Sequence, residues 1–179
     1  GGGWFPTVRK LRAVVESSAE RGRLGRTRHP LVIANGMEGE PASSKDAVLL
    51  GASAHLGFDG ISAAAATIGA TDAFLAIHRD SAVIPILVKA LDERHAAGID
   101  PLTIHLVTPP ARYVASEESA LSHWVGEGVA TPVYPDRPFQ KGAAGRPTLV
   151  QNVETLAHLG LIARYGGEWF AQVGAAGAP

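Results

Sequence analysis

Leu31-Val32-Ile33-Ala34-Asn35-Gly36-Met37-Glu38-Gly39-Glu40-Pro41 is the stretch on which the fold turns. Its first four residues form an unbroken apolar run, which reads as a buried strand. The run then gives way to an amide, two glycines and two carboxylates, residue types that build no core. In α/β proteins ligand-binding groups sit where a strand stops or a helix starts. Three other segments show the same abrupt change: Gly1-Gly2-Gly3-Trp4-Phe5-Pro6-Thr7, Tyr113-Val114-Ala115-Ser116-Glu117-Glu118-Ser119-Ala120-Leu121, and Arg146-Pro147-Thr148-Leu149-Val150-Gln151-Asn152-Val153-Glu154-Thr155-Leu156.

Outward from the strand, helical and extended patterns alternate. Val8 to Arg21, with Leu11, Val14 and Val15 on one side, predicts a helix after the glycine run. Lys45 to Leu50 and Gly60 to Ile68 predict helices, with Gly57 and Gly60 breaking between them. Asp72 to Ile77 predicts a second strand. Ser81 to Ala97 carries the clearest helical spacing (Val83, Ile84, Leu87, Ala90, Leu91), with Pro85 tolerable in its first turn and Gly98 closing it. Leu102 to Val107 predicts a third strand ended by Pro109-Pro110, and Glu117 to Val125 and Thr148 to Arg164 predict helices. Such alternation implies a three-layer α/β sandwich with a largely parallel sheet.

The 179 residues are 46% hydrophobic and only 6% aromatic, so one sizeable core of Ala, Leu, Val and Ile is expected. Residues 1–165 are expected to form this domain. Residues 166–179, ending in Gly174-Ala175-Ala176-Gly177-Ala178-Pro179, read as a linker toward a further part of a longer protein. A net charge of −1 gives no field for nucleic acid, although seven of the 16 basic residues fall in the first 28 positions. The absence of cysteine excludes a disulfide, a thiolate zinc site and an iron–sulfur cluster within these residues. The apolar run Ile61 to Ala70 is too short to span a bilayer and no signal peptide is visible, so a cytoplasmic body without direct membrane insertion is expected. Seven scattered histidines without paired spacing argue against a metal site, and neither a G-x-S-x-G nor a Walker pattern occurs.

Taken in order, the four segments resemble the flavin-binding domain of the NADH-oxidising subunit of respiratory complex I, a family that also serves NAD-linked hydrogenases and formate dehydrogenases. The resemblance rests on Gly1 to Gly3 with Phe5-Pro6-Thr7 and Lys10; on Asn35, Glu38, Glu40, Pro41, Lys45 and Asp46; on Tyr113 and Ser116 to Leu121; and on Pro147 to Leu156. The spellings GGGWFPT, EGEPAS and RPTLVQNVETLAHL are closer to a divergent bacterial branch. In that branch a β-grasp domain of the SLBB type and an iron–sulfur domain follow the flavin domain. The family implies FMN as cofactor and NADH or NADPH as substrate. It also implies an iron–sulfur or ferredoxin-like acceptor outside these residues, and a place at the periphery of a membrane complex.

The residue types suit that chemistry. Gly1, Gly2 and Gly3 before a helix, with Lys10, make an anion seat. By resemblance, Glu38, Glu117 and Glu118 line the flavin and nucleotide site and Glu40 lies toward NADH; carboxylates accept strongly from ribose hydroxyls and a carboxamide. A Glu after a turn also caps a helix, which suits Glu117 or Glu118 and explains the Glu38 turn less well. Phe5 and Phe139 offer stacking faces and Tyr113 an edge, though all three are equally at home in a core. The amides of Asn35, Gln151 and Asn152 can donate and accept, as a ribityl chain requires, or can form turns. Ser116 belongs to the same motif. Hydride transfer needs no protein acid or base, so no catalytic residue is named.

Four positions depart from the family pattern. Met37 stands where an Asp is expected, Ser116 where a Gly, Gln151 where an Asn and Ser44 where an aromatic. Loss of an acceptor at Met37 would cost about 1 to 3 kcal/mol if nothing compensates. On that expectation Met37→Asp should raise flavin affinity. The alternative these departures suggest is a degenerate relative that keeps the fold as a docking module.

Overall fold

A computed structural model describes residues 5–25, 28–39, 42–110 and 113–174, apart from the side chain of Tyr113. The amphipathic first helix, α1 (Thr7–Arg23), starts behind Pro6 and carries Arg21 and Arg23 in its last turn, where cations suit the negative end of the helix dipole. The apolar run forms β1 (Leu31–Gly36), followed by α2 (Lys45–Ala52) and α3 (Ala54–Ile68). Next come β2 (Asp72–Ile77), α4 (Ile84–Ala97) and β3 (Thr103–Val107). Tyr113–Ser116 is a 3-10 turn leading into α5 (Glu118–Glu127). The chain continues through α6 (Pro138–Lys141), β4 (Thr148–Asn152), α7 (Val153–Tyr165) and the short α8 (Gly167–Ala171).

All four strands are parallel, in the order β3-β2-β1-β4. The chain therefore builds outward from β1 to β3 and then crosses back to lay β4 on the far side of β1. The reversal leaves a topological switch point between the carboxyl ends of β1 and β4, where open α/β sheets bind ligands. Alternation along the strands sorts side chains onto two faces. Val32, Ala34, Ala73, Leu75 and Leu149 join Val14, Phe58, Ile61, Leu87 and Leu156 in the larger core, covered by α1, α2, α3, α4 and α7. Leu31, Ile33, Ala76 and Val150 join Met37, Leu121 and Ala143 in a smaller core under α5. The three layers are those expected from the sequence.

Two expectations need correction. Gly57 and Gly60 do not break the chain: α3 runs through both. A Cβ on Gly60 would lie 1.8 Å from the Leu156 carbonyl oxygen, and one on Gly160 would lie 3.0 Å from the Gly60 nitrogen. The two glycines are therefore a packing device that lets α3 and α7 touch through their backbones. The second correction is Thr148 to Arg164, which is a strand followed by a helix. Thr148 to Asn152 pair with Leu31 to Asn35, and the first four are buried. A short apolar run gives no periodicity with which to tell a buried strand from a helix.

Smaller differences also appear. The helix predicted from Ser81 begins at Ile84, with Pro85 in its first turn, and stops at Gly98 in the left-handed conformation (φ 61°). Within the stretch read as linker, α8 folds back on α7, with the Tyr165 and Trp169 rings 4.7 Å apart. Arg146 ties the strand starts together: Nε donates to the His29 carbonyl (2.7 Å) and Nη2 to Asp72 Oδ2 (2.8 Å) and the Pro30 carbonyl (3.2 Å). No single helix among the described residues is long and apolar enough to cross a membrane.

Candidate functional site

The switch point gathers described parts of three of the four motifs. Asn35 and Asn152, the amides at the ends of β1 and β4, stand opposite each other in register. Asn152 Nδ2 donates to the Asn35 carbonyl (3.3 Å) and to Asp46 Oδ2 (2.9 Å). Its Oδ1 accepts from Lys45 Nζ (3.1 Å) and, as the N-cap of α7, from the Glu154 N–H (3.0 Å). Asn35 Nδ2 donates to the Ser116 carbonyl (2.8 Å), while its Oδ1 accepts from the Met37 N–H (3.1 Å). The segment around residue 116 is thus bound to β1 across 81 positions of chain.

Glu38 reaches across to the start of α2. It accepts from Ser43 Oγ (2.7 Å) and from the N–H groups of Asp46 (3.0 Å) and Ala47 (3.3 Å). Burial pushes its carboxyl up, but these donors and nearby Lys45 outweigh burial, and its pKa falls below the ordinary value. Ser44, the formal N-cap of α2, makes no capping bond of its own, so Glu38 supplies what the local sequence lacks. Asp46, 1% exposed, is the buried acid of the site. Desolvation raises its pKa despite hydrogen bonds from Lys45 (2.5 Å) and Asn152. Lys45 also pairs with Glu154 (3.0 Å).

Glu117 is the N-cap of α5. Its Oε2 accepts from Ser119 Oγ (2.6 Å) and from the N–H groups of Ser119 (2.9 Å) and Ala120 (3.0 Å). Burial raises its pKa, but these bonds prevail and lower it. The capping explanation therefore holds for Glu117 and extends to Glu38, for which the sequence favoured it less. Glu118 caps nothing. It forms an ion pair with Lys10, whose Nζ also donates to the Val150 carbonyl (3.3 Å).

Phe5, Lys10, Glu118 and Phe139 line one cleft of about 410 Å³ along the outer edge of β4, together with Arg9 and Arg137. That volume lies within the usual range for small-molecule sites. A second cleft of about 300 Å³ opens beside Glu38 and His78, between the ends of β1 and β2. Gln151 is 2% exposed and its Oε1 finds no partner among the described residues. Met37 blocks neither cleft: it is wholly buried in the smaller core. Gly1, Gly2, Gly3, Glu40 and the Tyr113 side chain lie outside the described residues. The sequence left Asp46 and Lys45 out of the site, though both stand in the motif that carries the resemblance.

The set of groups suits a flavin nucleotide. Ring faces and cations share one cleft, an amide oxygen is left orphaned in the adjoining interior, and three helices begin around the strand ends with the positive ends of their dipoles. Asn35, Glu38, Glu117 and Asn152 spend their polar atoms on one another's segments, so they shape the frame. Lys10, Glu118, Arg9 and Arg137 carry the charge that faces the cleft.

Fold and strand-end site together define a switch-point α/β domain built for a nucleotide-like ligand. Comparison with known proteins narrows this. The family model described as the Nuo51 FMN-binding domain matches residues 1–160, and the chain belongs to that family. It is 31% identical to a subunit of the NADH-quinone oxidoreductase of Aquifex aeolicus, over 97% of this chain and 41% of that protein. It is also 31% identical to the NAD-reducing hydrogenase HoxS subunit alpha of Cupriavidus necator, over 97% of this chain and 30% of that one. Among solved structures, an NAD+-reducing [NiFe]-hydrogenase in the H2-reduced state superposes with a TM-score of 0.78 at 34% identity, covering 92% of this chain and 28% of that chain. The chain thus spans well under half the length of these relatives.

Proposed function

We propose that this domain binds FMN and NADH or NADPH and serves NAD(P)H oxidation, with electrons leaving to an iron–sulfur acceptor outside these residues. The reading is carried by one observation: in a chain of the Nuo51 family, Asn35 at the end of β1 bonds to both Ser116 and Asn152, and the neighbouring Glu118 pairs with Lys10. FMN, when bound, supplies the chemistry that accepts a hydride and releases electrons singly. The chain's own residues bind and orient. Lys10 supplies a cation beside β4, Phe5 and Phe139 supply ring faces, and Glu118 holds Lys10 in place and can accept from a ribose hydroxyl. The Asn35, Asp46, Lys45 and Asn152 network fixes the strand ends, so the cleft keeps its shape without reorganisation as ligand enters. Electron transfer onward requires a partner domain or protein, because these residues contain no cysteine.

Titration of the protein with FMN, followed by anaerobic addition of NADH, tests the proposal. Uptake of FMN with a yellow absorbance that bleaches on reduction is expected. Failure to take up FMN would overturn it.

A further inference from the structure

Between α5 and α6 lies a further cavity, of about 370 Å³, which shares only Pro138 with the cleft beside β4. One wall is a stripe of α5, in which Ser119, Ser122, His123 and Gly126 recur at helical spacing on the face that borders it. The facing wall comes from the chain between Val133 and Gly145, held close because Gly126 has no room for a side chain beside the Ala144 nitrogen.

Ser122 is 3% exposed, and its Oγ has no hydrogen-bond partner. A helical hydroxyl has a ready outlet in the carbonyl one turn back, as Thr67 Oγ1 shows by donating to the Ala63 carbonyl at 2.8 Å. Ser119, on the same stripe, donates to Glu117 Oε2 (2.6 Å) and accepts from the Val133 N–H (3.1 Å). Ser122 alone on this wall keeps an unmet donor and acceptor out of bulk water, where they are costly to leave unpaired.

The rim is polar and electrically balanced. Lys141 Nζ donates to Asp136 Oδ2 (2.7 Å), and Glu127 Oε2 lies 3.3 Å from His123 Nε2. With these charges answered in pairs, little field remains to attract an ion. Hydrogen-bonding capacity does remain, because a carboxylate has several lone pairs and an ammonium three donors. An aliphatic hydroxyl can accept from Lys141, donate to Asp136 or Glu127, and do either with Ser122. We propose that this cavity binds a neutral polyhydroxylated molecule of monosaccharide size, with Ser122 at its floor and Glu127, Asp136 and Lys141 at its rim. The volume falls within the range of small-molecule sites. The site goes beyond the flavoprotein reading and does not depend on it.

Saturation-transfer NMR on the whole protein, with glucose and myo-inositol as probes and glutamate as an ionic control, tests the proposal. Transfer to at least one of the two polyols and none to glutamate is expected. Ser122→Ala should weaken polyol binding about tenfold, the loss of one buried hydrogen bond, and Lys141→Met should weaken it as well. Without ligand, Ser122→Ala should melt no lower than the wild type, because it deletes an unpaired hydroxyl and breaks no bond. No transfer to either polyol, marking a cavity that holds water only, would overturn the proposal. Equal transfer to glutamate, or polyol binding unchanged in Ser122→Ala, would do the same. So would a lower melting temperature for Ser122→Ala, since the hydroxyl would then be bonded within the protein. FMN uptake should be equal in wild type and Ser122→Ala, so loss of the flavin reading leaves this site standing and loss of this site leaves the flavin reading.

Discussion

The two sides of β1's carboxyl end differ in what their charges are for. On the side of α2 and α7, Glu38, Lys45, Asp46 and Asn152 bond to one another and to helix N-termini, leaving little for a ligand. On the side of α1 and α6, the Lys10 and Glu118 pair, Arg9 and Arg137 line an open cleft together with Phe5 and Phe139. The first side fixes geometry, and the second has groups to offer. A residue's membership of a binding motif therefore does not say whether it touches ligand or holds the residue that does.

Substitutions should separate the two sides, stability falling on one and ligand binding on the other. The largest effect is expected at Met37, which takes no part in either set of charges and is fully buried in the smaller core under α5. Met37→Asp should lower stability by about 3 to 5 kcal/mol, because it places an uncompensated charge in an apolar core. Chemical denaturation measures this, and the gain in flavin affinity expected from sequence alone should not appear. Asp46→Ala comes next. Lys45 and Asn152 lose a shared acceptor at a position 1% exposed, and a loss of about 2 to 3 kcal/mol is expected in the same assay.

The pH dependence sharpens the contrast within the committed side. Glu38 and Glu117 have folded pKa values below their unfolded ones, so their stabilisation is present above the unfolded value, about 4, and is lost as pH falls through the folded one. Asp46 has its pKa raised, so it favours folding below its unfolded value and that contribution is lost as pH rises through the folded one. Thermal melts taken from about pH 6 downward should therefore show a gentler acid loss for Glu38→Gln and a steeper one for Asp46→Asn than for the wild type. A Glu38→Gln curve parallel to the wild type would break the assignment of Glu38 as the cap of α2.

The smallest stability change is expected across the divide. Glu118→Gln removes a half-exposed partner from Lys10 and should shift stability by less than about 0.5 kcal/mol. It should nonetheless alter nucleotide affinity measurably in a binding titration. A stability loss as large as that of Asp46→Ala would erase the distinction between the two sides.

Much of the layout was legible in the chain. Leu31 to Ala34 and Asp72 to Ile77 announce their strands by composition, and Pro85 and Gly98 bracket α4 by backbone rules. Ordered motifs pointed to the family as well. Less legible were features set by distant partners. Thr148 to Asn152 become a strand because β1 offers an unpaired edge 117 residues earlier, and Gly60 stays helical because Leu156 lies against it.

Sequence alone determined which residue types could serve a nucleotide and in what order they occur, because strand ends, caps and glycine runs are local and leave local signatures. Tertiary structure decided how each was used. Glu38 went to the start of α2, Met37 into the smaller core and Glu118 to Lys10, since hydrogen-bond partners and burial depend on which strand ends the fold brings side by side.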